Sequence, residues 1–240
     1  MLAGEVNNKM STETKYKIGI IPARLHSTRF PKKILVDIYG KPMVINTAEK
    51  VSKVKGLDKI IIAIDSDETY QALKDFGYEL VMTSDKHKSG TDRIAEVVRN
   101  IKNVSTVINI QADEPFINPK LISKLIKAHS DSTIQMSTLI STQLSETDYN
   151  NVSIVKAFLD DNNFAVDFKR KCTAKYKHLG IYGFTKKSLL DFVSFKQSKN
   201  EVSRDLEQMR ALDNGIKIKA ILTDEDCLSI NLKEDLIWPK

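Results

Sequence analysis

Short apolar runs alternate with amphipathic helix patterns between residues 17 and 129, and this alternation constrains the fold more than any other feature of the chain. KIGIIPA (17–23), DKIIIAID (58–65), YELVMT (78–83) and STVINIQADEP (105–115) read as strands. They are continuously apolar instead of alternating, as strands covered on both faces must be. GKPMVINTAEKVSKVKG (40–56) reads as a helix, with Pro42 near its start and Gly56 at its end. SDETYQALKDFG (66–77) is a second helix, capped by Ser66 and stopped by Gly77. SGTDRIAEVVRNIK (89–102) and NPKLISKLIKAH (118–129) follow, the former with helical spacing at Ile94, Val97, Val98 and Ile101. The pattern predicts an α/β fold with a mainly parallel central sheet. In such sheets ligands bind beyond the carboxyl ends of the strands.

The second half changes character. MSTLIST (136–142), VSIVKAFLD (152–160), FAVDFKR (164–170) and HLGIYGFT (178–185) read as strands of a smaller, partly antiparallel subregion. KKSLLDFVSF (186–195) and RDLEQMRALDNG (204–215) read as helices, IKIKAILT (216–223) as a strand and KEDLIWPK as a short helical tail. No repeat or clean linker divides the chain. The expectation is a polar, frayed extension over residues 1–16 and one domain over 17–240, with a distinct subregion at about 136–200.

Composition narrows the function classes. The nine glycines fit neither a dinucleotide fingerprint nor a Walker loop. Cys172 and Cys227 are too few for a disulfide framework or a four-cysteine zinc site, and they suit a reducing compartment. No run approaches the ~18 apolar residues of a membrane helix. The net charge of +6 is local: six basic residues and no acid lie between Lys15 and Lys33. A nucleic-acid binder would spread its cations and interleave aromatics, so a compact anion such as a nucleoside triphosphate fits better; the charge run taken alone reads as a solvated basic loop.

Chemistry gathers at the predicted strand ends. Arg24, Arg29 and Lys33 follow the first strand, with Ser27 and Thr28 between them. Arginine grips phosphate with two N–H groups and lysine acts as a point charge, and nucleotidyl transfer needs both as charge builds on pyrophosphate. Asp113 and Glu114 close the fourth strand, where a carboxylate can hold a divalent metal against phosphates, and they read equally as a helix-capping or turn acid before Pro115. SGTDR (89–93) can contact a base or ribose through Ser89, Gly90 or Thr91, and also reads as a plain helix start. His178 reads as a satisfied structural residue, and Glu207, Gln208 and Arg210 as a helix face.

IIPARLHSTRFPKKIL with DIYGKPM, then SGTDRIAEV, INIQADEP, HLGIYGF and LEQMRAL, together resemble the 3-deoxy-manno-octulosonate (Kdo) cytidylyltransferases, also called CMP-Kdo synthetases, over about residues 17–222. The resemblance implies a nucleotidyltransferase (Rossmann-like) fold, a cytoplasmic homodimer, and Mg²⁺-dependent transfer of CMP from CTP to the anomeric hydroxyl of an acidic sugar, for lipopolysaccharide or capsule synthesis. It implies that Arg24, Arg29 and Lys33 hold the triphosphate, and that Arg24, Lys33 and Asp113 are catalytic. Ala23, Ser89, Gly90, Thr91 and Gln111 would meet the nucleotide. Arg170, His178, Tyr182, Glu207 and Gln208 would line the sugar site, with Asp113 and Asn231 at the metal.

The chain departs from the family pattern in four places: Lys32 and Ala112 stand for glycines, only KCTAKYK (171–177) separates FKR from HLGIYGF, and Asn231 stands for a metal-binding aspartate. Asparagine offers a carbonyl ligand but no charge. The nucleotide half thus reads as kept and the acceptor half as altered, the mark of a divergent member. Two alternatives follow: the same chemistry on 8-amino-Kdo or a nine-carbon acid, or a nucleotide-binding paralogue with weak catalysis.

Overall fold

A computed structural model describes residues 15–27 and 30–236. Its elements, in order, are β1 (Tyr16–Ala23), β2 (Asp37–Ile38), β3 (Lys41–Pro42), α1 (Met43–Val51), β4 (Lys59–Ile64), α2 (Asp67–Leu73), β5 (Glu79–Met82), α3 (Gly90–Arg99), β6 (Val104–Asn109) and α4 (Pro119–Ala128). Then come β7 (Met136–Ser141), β8 (Lys156–Leu159), β9 (Ala165–Lys169), β10 (Tyr176–Thr185), α5 (Lys186–Ser194), α6 (Lys199–Arg204), α7 (Gln208–Asp213) and β11 (Ile218–Thr223). Short 3₁₀ turns stand at Lys33–Leu35 and Lys233–Leu236.

The central sheet has the order β11-β7-β10-β6-β1-β4-β5. Pairing is parallel between β1 and β4, β1 and β6, β4 and β5, and β7 and β11. β10 runs antiparallel to β6 and β7, and it also carries the antiparallel β8–β9 hairpin at its start. The expected α/β class with a mainly parallel sheet and a smaller antiparallel part is therefore observed.

The apolar strands work as their composition requires. Along β1, Ile18 and Ile20 face one core layer with Ile94 of α3 and Leu189 of α5. Their neighbours Ile21 and Ala23 face the opposite layer with Val44 of α1 and Leu121 of α4. β4 divides in the same way, Ile61 and Ala63 to one side, Ile62 and Ile64 to the other. Each such isoleucine, fully withdrawn from water, contributes roughly 1.5–3 kcal/mol. Helix starts follow their caps: Ser66, Ser89 and Asn118 each accept a backbone N–H of the first turn.

Several boundaries differ from the sequence reading. β1 begins at Tyr16. The helix expected from residue 40 begins only at Met43, because Lys41 and Pro42 pair with Ile38 and Asp37 across a turn at Tyr39 and Gly40 with positive φ. The helix expected over 204–215 is broken: α6 ends at Arg204, Asp205 takes a left-handed conformation (φ 52°), and α7 starts at Gln208. The strand expected over 105–115 ends at Asn109, so Asp113 and Glu114 stand on the following loop. Both cysteines are free. No helix among the described residues is long and apolar enough to cross a membrane.

Gly183 in β10 is a point of close approach. A Cβ there would lie 2.7 Å from both His129 Nε2 and Ser137 Oγ, which themselves share a 2.9 Å hydrogen bond. Gly183→Ala should therefore lower stability by about 1–3 kcal/mol through overpacking. Urea unfolding checks this, and an unchanged midpoint would contradict it.

Candidate active site

A cleft of 820 Å³ opens at the carboxyl edge of the sheet. Arg24, Lys33, Ser89, Gly90, Gln111, Asp113, Arg170 and Asn231, each singled out in the sequence, line it. Arg29 and Thr28 lie outside the described residues. Ala23 is buried at the last position of β1 and delivers the chain to Arg24.

The loop after β1 is held from below. Asp65, just past β4, accepts the Leu25 N–H at 2.9 Å through one oxygen and Arg93 at 3.0 Å through the other. This pair is nearly sealed from water, with side-chain exposures of 2% for Arg93 and 8% for Asp65. Arg93 also donates to Thr83 Oγ1. Burial lowers the Arg93 pKa, and the Asp65 charge works against that. On the other side Gly90 packs against Pro22, with room for a Cβ only 3.0 Å from the proline ring. The ten-residue helix α3 thereby aims its amino end at the cleft, where its backbone N–H groups favour an anion.

Opposite this edge, Lys33 Nζ donates to Asp113 Oδ2 at 2.5 Å. Arg24 forms no ion pair among the described residues, so its charge is uncommitted. Glu114 turns away from the cleft and is buried. It accepts the Ser229 hydroxyl, while the Ile230 N–H donates to the Asp113 carbonyl at 2.9 Å. These two bonds fasten the C-terminal segment to the Asp113 loop and bring Asn231 into the lining. Burial pushes the Glu114 carboxyl up to about 8, against the lowering effect of the Ser229 hydroxyl.

A second cleft of 490 Å³ adjoins the first and shares Lys88, Ser89 and Asp205 with it. Glu207 lines it. Thr91 donates to Glu207 Oε2 at 2.8 Å and receives Asn109 Nδ2 at 3.2 Å. The Tyr182 hydroxyl donates to Gln208 Oε1 at 3.2 Å. His178 lies below, its ring 5.0 Å from Phe168 and 5.4 Å from Tyr182. Thr138 gives its hydroxyl proton to Ile181 O, which leaves His178 Nε2–H as donor to Thr138 Oγ1 at 2.9 Å. Thr91, His178, Tyr182 and Gln208 are thus a buried polar layer behind the cleft walls, outside the lining of either cleft.

Sequence reasoning missed Asp65, Arg93, Lys88 and Asp205. The signal for Asp65 was present, since IIIAID ends in a carboxylate as the fourth strand's reading did. Asp205 gave none, because it falls inside an expected helix.

A doubly covered parallel sheet with cations and a half-buried carboxylate at its carboxyl edge defines a nucleotidyltransferase. The family model for cytidylyltransferases matches residues 18–218, and the chain belongs to that family. It is 39% identical over 241 residues to a 3-deoxy-manno-octulosonate cytidylyltransferase of Thermodesulfovibrio yellowstonii, covering 91% of this chain and 94% of that protein. It is 36% identical over 230 residues to an 8-amino-3,8-dideoxy-manno-octulosonate cytidylyltransferase of Shewanella baltica, covering 90% and 94%. The solved CMP:2-keto-3-deoxy-manno-octonic acid synthetase complexed with CTP superposes with a TM-score of 0.87 at 30% identity, covering 93% of this chain and 95% of that one.

Burial holds the His178 pKa down from 6.5 to about 3. Between those values the unfolded chain binds a proton that the folded protein refuses, so stability falls as pH drops through that window. The His178 ring resonance should stay flat in NMR titration from pH 8 to about 5, and His178→Gln should flatten the stability profile below pH ~6.5. An inflection of the His178 resonance near pH ~6.5 would contradict the assignment.

Proposed function

We propose that this protein transfers CMP from CTP to the anomeric hydroxyl of 3-deoxy-manno-octulosonate or a close relative, releasing pyrophosphate. The observation that carries the reading is the cleft edge formed by Arg24, Lys33 and Asp113 on a fold shared with a CTP-bound synthetase. The acceptor oxygen forms a bond to the α-phosphorus as the bond to the β-phosphate breaks. Arg24 meets charge growing on the leaving group. Lys33 is placed to exchange Asp113 for a phosphate oxygen. Ser89, Gly90 and Gln111 flank the nucleotide.

Cytidylyltransferases of this family generally use a divalent metal. Mg²⁺ keeps several waters and takes one or two carboxylates plus substrate phosphates. Asp113 with the Asn231 carbonyl fits that demand, though with a single protein charge. Bound there, Mg²⁺ would neutralise phosphate charge.

One buried polar atom at a cleft wall supports a hydroxylated acceptor: Glu207, which lines the second cleft, has no partner for Oε1 among the described residues. An 8-amino acceptor is the second reading. It is favoured by the Shewanella relative and by the exposed Asp205 carboxylate beside the second cleft, which suits an ammonium group. A cytoplasmic homodimer serving lipopolysaccharide or capsule synthesis, with the subregion at about 136–200 contributing to sugar binding and dimerisation, belongs to the same reading.

Pyrophosphate release from CTP and Mg²⁺ with Kdo, 8-amino-Kdo and a nine-carbon acid tests the proposal. Release with either eight-carbon acid supports it, and silence with both overturns it. Arg24→Ala should cost at least ~10²-fold in turnover, as loss of a charge-stabilising donor does. Asn231→Asp should lower the Mg²⁺ concentration needed for half-maximal rate. An unchanged Mg²⁺ dependence would remove Asn231 from the metal site.

A further inference from the structure

An eight-carbon 2-keto sugar acid carries its carboxylate directly on the anomeric carbon. At neutral pH that carboxylate is ionised, and it must approach the α-phosphate of CTP to within bonding distance of its neighbour. Besides the Mg²⁺ that Asp113 and Asn231 would hold on the phosphates, two anions brought that close call for a protein cation at the boundary between the nucleotide and acceptor spaces. On the proposed function, that boundary is where the two clefts meet.

Most cations around the clefts are already committed. Lys33 is paired with Asp113 at 2.5 Å. Arg93 is buried on Asp65 at 3.0 Å. Arg210 is buried on Glu201 at 2.5 Å, with Asp92 at 3.9 Å.

Arg170, the residue that sequence resemblance assigns to the sugar, is committed in a different way. Its Nε donates to Arg204 O at 3.3 Å, and one terminal nitrogen donates to Val152 O at 2.8 Å. The other terminal nitrogen donates to Asp205 O at 2.8 Å and lies 3.4 Å from Asp205 Oδ2. Four of the five guanidinium N–H groups are thereby engaged. The Arg170 carbonyl in turn accepts from Lys156 Nζ, which also donates to Asn151 O at 2.9 Å and Ile154 O at 3.0 Å. Arg170 bolts the 151–154 loop, the end of β9 and the turn after α6 to one another. Turning it toward a substrate would undo that junction.

Two cations remain. Arg24 lies on the loop after β1, on the triphosphate side. Lys88 is exposed, makes no hydrogen bond or ion pair among the described residues, and lines both clefts.

We propose that Lys88 binds the carboxylate of the acceptor, and that Arg170 is a positioning residue that builds the wall beside it. The assignment places one mobile point charge where the two anionic substrates meet. An ammonium on a flexible stem can follow the carboxylate as the anomeric oxygen closes on phosphorus.

Steady-state kinetics of the full chain with CTP and the sugar acid tests this. Lys88→Met should raise the acceptor KM about 10- to 100-fold, the loss expected for a charge-assisted hydrogen bond, and leave the CTP KM within about twofold. Lys88→Arg should recover most of the loss. A second substrate, the same sugar with its carboxylate converted to a primary amide, separates binding from structure. The wild-type protein should prefer acid to amide by a similar factor, and Lys88→Met should lose that preference. Arg170→Met should keep the preference while lowering the thermal midpoint. Retention of the preference in Lys88→Met with its loss in Arg170→Met would return the carboxylate to Arg170 and overturn the proposal. An unchanged acceptor KM in Lys88→Met would do the same. If the wild-type protein itself consumes no CTP with the sugar acid, the functional reading fails first, and that failure is visible before any variant is made.

Discussion

One buried carboxylate underlies the geometry of the cleft edge that carries Arg24, Ser89 and Gly90. Asp65 stands just past β4, accepts the Leu25 N–H with one oxygen and holds the Arg93 guanidinium with the other. The loop carrying Arg24 and the helix carrying Ser89 and Gly90 are both referenced to that single side chain. Removing one partner of such a pair strands the other without compensation, at a cost of roughly 3–5 kcal/mol. The pair is therefore more consequential as a positioning device than as a source of net stability. The exposed Lys32–Glu68 bridge, by contrast, is screened by solvent and adds little to stability.

Two kinds of construction meet at the cleft. The nucleotide end is made from strand termini and a helix start, whose directions the parallel sheet fixes. The end that the proposed function gives to the acceptor is made from irregular backbone: the loop before β8, the end of β9 and the left-handed turn at Asp205. Its carbonyls are gathered by Lys156 and Arg170 instead of by ladder bonds. Long cationic side chains serve well there, because each can span segments that no regular element joins.

This difference explains what was legible in the sequence. Continuous isoleucine-rich runs announce doubly buried strands, and residues placed after them, Arg24 and Asp113, fall at the carboxyl edge by topology alone. Gly90 and Ser89 were legible for the same reason, as the start of a capped helix. The acceptor side obeys no period. The break at Asp205 is hidden inside a run with good helical spacing, and nothing in FKR tells whether its arginine faces a ligand or three carbonyls. His178 and Tyr182, both buried, stand on either side of a register shift in the pairing of β10 with β7 that only tertiary pairing reveals.

β10 runs against its neighbours β6 and β7. Its opening residues therefore lie at the same edge as their final ones, and the Gly180 carbonyl receives Gln111 there at 3.3 Å. One rim of the sheet is thus written by two stretches of chain far apart in sequence and opposite in direction. On the proposed function, changes at the start of β10 would remodel the acceptor side and leave the loop after β1 to hold the nucleotide. A fold with this arrangement can diversify its acceptors by local substitution and hold its donor constant.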